Sequence, residues 1–484
     1  MKIQLLFLKP LLAGGLFIFS FFSPRAQKLT AVQNYGINRP GVVMVRTVFS
    51  ADVYVNNMRM DSRNLNRLLD SLQRIDSSGA IFTPEQKLDI VLTEISRNPN
   101  RFFKASLDYI KQPEEITSSG TGFLITGDGY VATNCHLIDR DKTFIRRQFI
   151  LSAFQQITEA NISAFESAWA TKFSEQQRTV LYNTYASIYA RLFSMALYDL
   201  KKDIFIEYSA DSTNGSAATV KKIAHVVVKG QPMPGKDIAI LKMDGDSSLP
   251  TLKIARDELP RVGEQLFVYG FPGPVTNNNY VASESAIEPT LTTGIVSALK
   301  KSVEGWPLIQ MDANINRGSS GGPVCNEKGE VVGLTTFGSI ENSGGLAAGL
   351  NFAIPVSILE EYLDSAEVVA HPSEVSNIFA DGVIFYDQEY YKDALRKFKR
   401  VKEINRKFPG LTSYILDSQK RLHLNDERKA SMIRYDLLIL GLLIIICLFL
   451  FRFLKKRKLV SSFFNSVSQT HRKSSYRYSR VKSP

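Results

Sequence analysis

Short stretches of this sequence hold residue types that together could perform acyl transfer. The loop at 315–323 places Ser320 between Gly318 and the pair Gly321–Gly322, and glycines let the main chain approach a substrate where a Cβ would collide. In such a turn the backbone N–H groups of Gly318 and Ser320 converge, which is the arrangement that stabilises a tetrahedral oxyanion. Taken alone, the stretch could equally be a glycine- and serine-rich surface turn.

His136 and Asp237 supply the other groups that a serine nucleophile needs. His136 follows two short predicted strands, and Asp237 opens the apolar run Ile238–Leu241. Each has a structural alternative, a core histidine or a solvated strand end. The chain order His, Asp, Ser matches the base, the orienting carboxylate and the nucleophile of a catalytic triad. The sequence therefore predicts that Ser320 attacks, His136 transfers its proton and Asp237 orients the imidazole.

At these motifs the chain resembles the HtrA/Deg-type serine proteases of the chymotrypsin-like fold. The resemblance covers about 40–365 apart from two insertions, and includes motifs at Thr133–His136, Asp237–Lys242, Tyr269–Pro272 and Asn316–Pro323. It implies a serine endopeptidase that cleaves polypeptide substrates and needs no cofactor. The sequence itself contains no metal-ligand spacing and no phosphate-binding glycine loop.

The resemblance also places the pocket for the side chain that precedes the cut. The implied walls are Asn314, Ile315, Leu350, Asn351 and Phe352. These residues favour a small aliphatic side chain, because a buried Arg or Lys would lack a counter-ion there.

Departures from the family pattern lie beside the nucleophile. Arg317 and Ser319 stand where proline and asparagine are usual, and Cys135 stands where alanine is usual. The first two raise the expectation that the oxyanion hole is not preformed and that the resting enzyme is weak. An alternative function therefore stays open: a weak or inactive protease-like chaperone or scaffold.

Two helical insertions interrupt the predicted barrels, at about 57–115 and 143–200. Thr83–Gln86 reads as a helix start with a capping box, and Ser174–Gln177 repeats that pattern. The second insertion has two consecutive amphipathic stretches, which indicate a helical hairpin. A regulatory role and simple shielding of the barrel are both open for the first insertion.

After the predicted protease domain, the sequence pattern indicates helices and shows no recognisable PDZ domain. At 373–430, Gly382, Tyr391, Ala394 and Phe398 fit the spacing of a tetratricopeptide repeat, which suggests a protein partner; an ordinary helical hairpin is the alternative. The apolar run at 437–451 is shorter than the ~20 residues that span a bilayer. Flanking residues extend it to a predicted transmembrane helix at 435–454.

Charge and the predicted segments at the two termini suggest where the chain resides. The hydrophobic content of 44% can build a core, and ten Lys or Arg after 451, with no Asp or Glu, leave only +2 of the net +12 for the rest. This distribution argues against nucleic acid. Residues 1–26 resemble a secretory signal, cleaved or retained, and the positive-inside rule assigns the basic tail at 455–484 to the cytoplasm.

The sequence thus predicts a mainly β protein: a chymotrypsin-like double β-barrel with two helical insertions, a tetratricopeptide-like segment and one transmembrane helix. The protease domain would lie outside the cytoplasm, in a periplasm by preference and anchored to the membrane. A homo-oligomer stays open, since trimers are common in the family. Cys135, Cys325 and Cys447 are too few for a disulfide scaffold, so Cys135 and Cys325 are expected to be buried thiols more readily than a disulfide.

Overall fold

The computed structural model describes residues 28–79, 82–192, 196–212, 217–245, 247–256, 259–273, 280, 282, 287–340, 346–423, 438–450 and 452–453. The predicted signal segment at 1–26 and the basic tail at 455–484 lie outside these residues. The chain divides into two compact units: residues up to Ala380 together with Arg400–Thr412, and Asp381–Lys399 together with the residues from Ser413.

The first unit contains a closed barrel whose strands follow the order β1-β2-β3-β6-β5-β4. Antiparallel neighbours close this barrel around Val43, Val45, Leu124, Ile206 and Leu241, which are all buried. The strands are β1 Val42–Met60, β2 Phe103–Leu124, β3 Tyr130–Thr133, β4 Ala196–Asp211, β5 Ala217–Lys229 and β6 Ala239–Met243.

A second sheet has the order β11-β8-β9-β10-β13-β12-β7, and an additional pairing of β11 with β12 closes it. Its core includes Leu266, Val296, Ile309 and Val324. The predicted double barrel is therefore confirmed. The strands are β7 Lys253–Ile254, β8 Gln265–Gly270, β9 Thr290–Lys301, β10 Pro307–Met311, β11 Pro323–Cys325, β12 Glu330–Ile340 and β13 Leu346–Pro355.

Short helices flank the barrels. Helix α1 (Ala31–Asn38) was not expected, and it begins with a capping box between Thr30 and Gln33. Another helix follows β13 and buries Ile358, Leu359 and Leu363 in a cluster shared by both barrels. A third is a single turn at Cys135–Ile138, directly after β3. The single turn after β3 is helix α5 (Cys135–Ile138), and the helix after β13 is α8 (Val356–Ser365).

Both insertions are helical, but the helices occupy less of the chain than expected. Strands β1 and β2 continue through 57–60 and 103–115, so helices fill only 62–102 of the expected 57–115. The two strands remain paired to their far ends, where Met60 lies opposite Phe103. The inserted helices cover this extension and bury Val53 and Val55. The helices are α2 Ser62–Ser77, α3 Pro84–Arg97 and α4 Pro99–Phe102.

The second insertion forms the expected helical hairpin from α6 (Lys142–Ala168) and α7 (Glu175–Leu192). Strand β4 begins at Ala196, earlier than the expected limit of 200, because Ala196 already pairs with Tyr54 of β1. The apolar faces of both insertions belong to one buried cluster. It includes Leu88, Val91 and Ile95 of α3 together with Phe149 of α6 and Leu181 of α7.

After the barrels come helices α9 (Glu374–Asp387), α10 (Tyr391–Ile404) and α11 (Leu411–His423). Within the second unit, a Cβ added at Gly382 would lie 2.6 Å from the Phe398 ring, so α9 and α10 pack closely there. Asp417 accepts hydrogen bonds from Tyr386 and from Arg421. An ordinary helical hairpin would also pack in this way, so the tetratricopeptide-like assignment stays a prediction.

The predicted transmembrane helix at 435–454 is not confirmed. Residues 438–450 are helical and exposed, and 435–437, 451 and 454 lie outside the described part of the chain. In that part, no helix has both the length and the apolar character needed to cross a membrane.

Candidate active site

Strand register brings His136 next to Asp237. Strand β3 pairs with β6 so that Thr133 lies opposite Ala239, which places the residues after Thr133 beside those before Ala239. His136 therefore enters the one-turn helix α5 next to Asp237. The Asn134 side chain fastens the two segments together, because its Nδ2 donates to the Asp237 carbonyl at 2.8 Å.

Asp237 is fully buried, and its side-chain carboxylate accepts three hydrogen bonds. The backbone N–H of His136 donates to Oδ1 at 2.8 Å, and Nδ1 of the same residue lies 2.6 Å from Oδ2. The Thr336 hydroxyl donates to Oδ2 at 3.0 Å. Because Nδ1 faces the carboxylate, the proton of the neutral imidazole belongs on Nδ1, which leaves Nε2 free to accept a proton.

The loop that holds Ser320 depends on glycine and on two threonines. Gly318 has a φ of +99°, and a Cβ there would lie 2.3 Å from the Phe271 carbonyl oxygen, so another residue would be strained. Thr121 holds the loop from β2: its hydroxyl donates to the Gly318 carbonyl at 2.7 Å and its N–H to the Ser320 carbonyl at 2.8 Å. Thr335 of β12 accepts at its carbonyl oxygen from the Gly321 N–H at 2.8 Å.

The Ser320 hydroxyl donates to the Thr336 carbonyl oxygen at 3.2 Å. Among the described residues, Ser320 Oγ makes no hydrogen bond to His136. The structure thus brings His136 and Asp237 into direct contact. Thr336 contacts both Ser320 and Asp237, because its carbonyl accepts from Ser320 and its hydroxyl donates to Asp237.

The two predicted oxyanion donors are available. In the described part of the chain, the backbone N–H groups of Gly318 and Ser320 donate to no protein acceptor. The Arg317 carbonyl accepts from the Gly273 N–H at 2.7 Å, and a trans peptide directs the following N–H, that of Gly318, the opposite way. Ser319 is buried, and its hydroxyl accepts from the Asn316 N–H at 3.4 Å.

The predicted pocket residues differ in exposure. Ile315 and Asn351 are buried, and Asn351 Nδ2 donates to the Ala313 carbonyl at 2.8 Å, which joins β13 to the segment before the nucleophile. Asn314 and Leu350 are exposed. Phe352 is half-buried and stacks on the Phe337 ring with centroids 4.9 Å apart.

Sequence reasoning missed Thr121, Thr336 and Phe337. Thr336 and Phe337 lie at 334–338 in strand β12, a stretch that carries no recognised motif. The two threonines Thr335 and Thr336 interrupt an apolar strand, which is a signal that their hydroxyl groups form specific hydrogen bonds. Thr121, in contrast, sits in a glycine-flanked stretch with no such signal.

The cysteines Cys135 and Cys325 are free and buried, so the expected buried thiols are confirmed. The Cys135 thiol donates to the Gly230 carbonyl at 3.2 Å. Burial, followed by the negative charge of Asp237, raises the pKa of Cys135 to about 12. A thiol beside His136 therefore stays neutral and leaves the nucleophilic role to Ser320.

Known proteins match part of the double-barrel region of this chain. Residues 196–334, which include Asp237 and Ser320 but begin after His136, match the family model of the trypsin-like peptidase domain. A probable periplasmic serine endoprotease DegP-like of Pseudomonas putida is 36% identical over 168 residues, 34% of this chain and 31% of that protein. Its counterpart in Rhizobium meliloti is 36% identical over 132 residues, 27% of this chain and 23% of that protein.

The chain spans less than a third of the length of these curated relatives. A solved serine endoprotease from Yersinia pestis matches with 18% identity and a TM-score of 0.32, over 70% of this chain and 67% of that one. The matches thus show a trypsin-like peptidase domain at 196–334 and similarity to curated serine endoproteases.

Proposed function

We propose that this chain is a serine endopeptidase whose catalytic groups are Ser320, His136 and Asp237. The observation that carries the proposal is the pair formed by His136 and the fully buried Asp237, joined at 2.6 Å. A buried carboxylate on Nδ1 fixes the imidazole as a base that presents Nε2. A purely structural histidine would not need this arrangement next to a serine in a glycine turn.

In the proposed reaction, Ser320 first rotates away from the Thr336 carbonyl. Its Oγ then forms a bond to the carbonyl carbon of the substrate while His136 Nε2 takes the hydroxyl proton. The tetrahedral intermediate collapses as the C–N bond breaks, and Nε2 returns the proton to the leaving amine. Water, activated by the same histidine, hydrolyses the acyl-enzyme.

The free N–H groups of Gly318 and Ser320 would hold the oxyanion of both intermediates. Removing one donor of this kind from an acyl-transfer enzyme costs about 2.7–4 kcal/mol. Since the Arg317 carbonyl is bound by Gly273, the hole needs no peptide flip in this conformation. The rearrangement that we propose is a rotation of the Ser320 side chain away from the Thr336 carbonyl.

For specificity, we propose that the walls at Asn314, Ile315, Leu350, Asn351 and Phe352 select a small aliphatic side chain before the cut. Asn351 is committed to the Ala313 carbonyl, and Phe352 is committed to its stack on Phe337. Neither is free to pair with a cation. Mapping the cut sites in an unfolded protein should give mainly valine, alanine or isoleucine; a majority of cuts after Arg, Lys or Phe would contradict this pocket.

Polypeptides outside the cytoplasm are the proposed substrates. The relatives carry periplasmic serine endoprotease in their names, and the sequence of 1–26 has the pattern of a secretory signal. The tetratricopeptide-like helices remain a proposed partner site, and an oligomer remains open.

Casein digestion by the full-length chain, compared with Ser320→Ala and His136→Ala, tests the activity directly. Both variants should lose activity to a similar degree, and the double variant should be little worse, because triad members act as a unit. Digestion that survives Ser320→Ala would remove the assignment of the nucleophile.

A weak or inactive protease-like chaperone or scaffold is the second candidate. It is favoured by the hydrogen bond from Ser320 Oγ to Thr336 instead of to His136. A fluorophosphonate probe separates the two functions, because only a serine activated by its base is labelled. Absence of labelling, together with protection of an unfolded protein from aggregation, would favour the second candidate.

A further inference from the structure

Arg140 is a half-buried cation without a carboxylate partner. Its Nη2 donates to the Ser118 hydroxyl at 3.0 Å, and its Cζ lies 5.8 Å from the centroid of the exposed Phe144 ring. Within the described part of the chain, no carboxylate lies within ion-pair distance of Arg140. Both neighbouring acids are engaged, since Asp139 pairs with Lys229 and Asp141 caps helix α6.

A cation in this environment is unusual because burial weakens its hydration without supplying an opposite charge. Burial lowers the pKa of the Arg140 guanidinium from its ordinary value, and no charged group offsets the effect. The guanidinium nevertheless stays charged at neutral pH. Among the described residues, Ser118 is the acceptor for one of its five N–H donors and the others have none, so the guanidinium is equipped to receive a planar anion.

The position of Arg140 relates it to the proposed active site. It follows His136 by four residues, and its partner Ser118 precedes Thr121 on β2 by three. Thr121 donates to the Ser320 carbonyl. The turn that carries His136 lies against the same strand, because a Cβ at Gly120 would meet the Leu137 side chain at 2.4 Å.

These contacts bring Arg140 close to the strand and the turn that support the proposed catalytic residues. The acyl part of the substrate occupies the second barrel, where the proposed pocket lies. In the proposed reaction His136 protonates the leaving amine, so the residues after the cut would begin beside His136 and extend toward β2 and α5. Strand residues rise about 3.3 Å each, so Ser118 lies about 10 Å along β2 from Thr121, a reach of two or three substrate residues.

We propose that Arg140 is a specificity-determining residue that binds a carboxylate in the segment leaving the active site, at the second or third residue after the cut. This inference rests on the proposed peptidase function. Its ligand is either an Asp or Glu side chain or the terminal carboxylate of a short product. Arg favours both because its planar fork matches a carboxylate.

Quenched fluorescent peptides with valine before the cut test the proposal on the full-length chain. One has Glu at the second and third positions after the cut and an amidated end; a second replaces Glu with Gln; a third combines Gln with a free terminal carboxylate placed there. The wild type should favour a carboxylate peptide over the amidated Gln peptide by about tenfold in kcat/KM, as for a hydrogen bond to a charged group.

The substitution Arg140→Gln should abolish that preference, because kcat/KM for the carboxylate peptides should fall to the value for the amidated Gln peptide. Arg140→Lys should retain part of the preference. Arg63→Gln, which removes an exposed arginine of helix α2, is the matched control and should retain the full preference. Equal rates for all three peptides in the wild type, or a preference that survives Arg140→Gln, would overturn the inference.

Binding decides the question without turnover. The dissociation constants of labelled leaving-segment peptides for the Ser320→Ala chain should show the same carboxylate preference and the same loss with Arg140→Gln. If no peptide is cleaved but this preference is present, the proposed function fails and the carboxylate site stands. If peptides are cleaved and neither rate nor binding discriminates, the carboxylate site fails and the peptidase stands.

Discussion

Asp237 is the residue on which the candidate site depends most directly. Its carboxylate is fully buried and accepts two hydrogen bonds from His136 and one from Thr336. A buried carboxylate with fewer donors would be costly to keep charged. Thr336 is therefore a positioning residue that acts through Asp237.

We expect Thr336→Val to lower kcat about tenfold or more with a modest loss of stability. A hydrogen bond to a charged group contributes roughly 1.5–3 kcal/mol, and 1.36 kcal/mol corresponds to tenfold in rate. The backbone carbonyl that binds Ser320 is retained in this variant. Steady-state kinetics over a range of pH measure the effect, with Thr117→Val, an exposed strand threonine, as control; an unchanged kcat and pH profile would refute the positioning role.

The cysteines provide a second prediction at this scale. Cys135 and Cys325 are buried and Cys447 is exposed, so a thiol reagent should modify one cysteine per native chain at pH 8 and all three after denaturation. Cys447→Ser should leave the native chain nearly unreactive. Rapid modification of a second thiol would show that the segment around His136 opens readily.

Cys135 also links stability to alkaline pH. Its folded pKa of about 12 exceeds the ordinary value of 9.0, so its neutral form is favoured by folding. Above about pH 9 the unfolded thiol ionises while the folded thiol does not. Its contribution is therefore fully present below pH 9 and is lost as the pH rises toward 12.

Ser320, His136 and Asp237 could be proposed from the sequence because each lies in a short local motif. Their supporting contacts could not. Thr336 reaches Asp237 across 99 positions and Thr121 reaches Gly318 across 197, and no spacing rule connects such pairs. The serine rotamer was also beyond prediction, since it depends on a choice between two nearby acceptors.

At the level of elements, helices were predicted better than strand ends. Capping boxes at Thr83 and Ser174 mark helix starts locally, and both are formed. Strands β1 and β2 extend beyond the barrel because distant helices bury one of their faces, as at Val53 and Val55. Strand formation depends on such tertiary cover, which the local sequence does not show.

Gly382 offers a prediction for the helical hairpin of α9 and α10. Alanine normally stabilises a helix interior relative to glycine by roughly 0.5–1 kcal/mol, but here its Cβ would lie 2.6 Å from the fully buried Phe398 ring. Overpacking costs typically 1–3 kcal/mol, so Gly382→Ala should destabilise the hairpin. Urea unfolding followed by helix signal measures the effect, and Phe398→Leu should restore part of the loss in Gly382→Ala; a more stable single variant would contradict this packing.

At the scale of the whole molecule, the two insertions behave as one structural addition to the peptidase. They are separated in sequence by β2, β3 and the His136 turn, yet their apolar side chains share one buried cluster. Gln177 of α7 donates to Asp89 of α3 at 2.7 Å. Neither insertion could bury its apolar face alone, so removal of one should expose the other.

Leu181→Ala tests this coupling. Leu181 is fully buried in the shared cluster, and truncation of a buried leucine costs about 2–5 kcal/mol. Since the cluster unfolds as a cooperative unit, amide exchange should accelerate in helix α3 of the first insertion as much as in α7 itself, while strands β8 and β11 of the second barrel keep their protection. Val180→Ala, a partly exposed neighbour on α7, is the control, and it should change exchange little in either helix. Acceleration confined to α7 would mean that the two insertions unfold independently and would contradict this coupling.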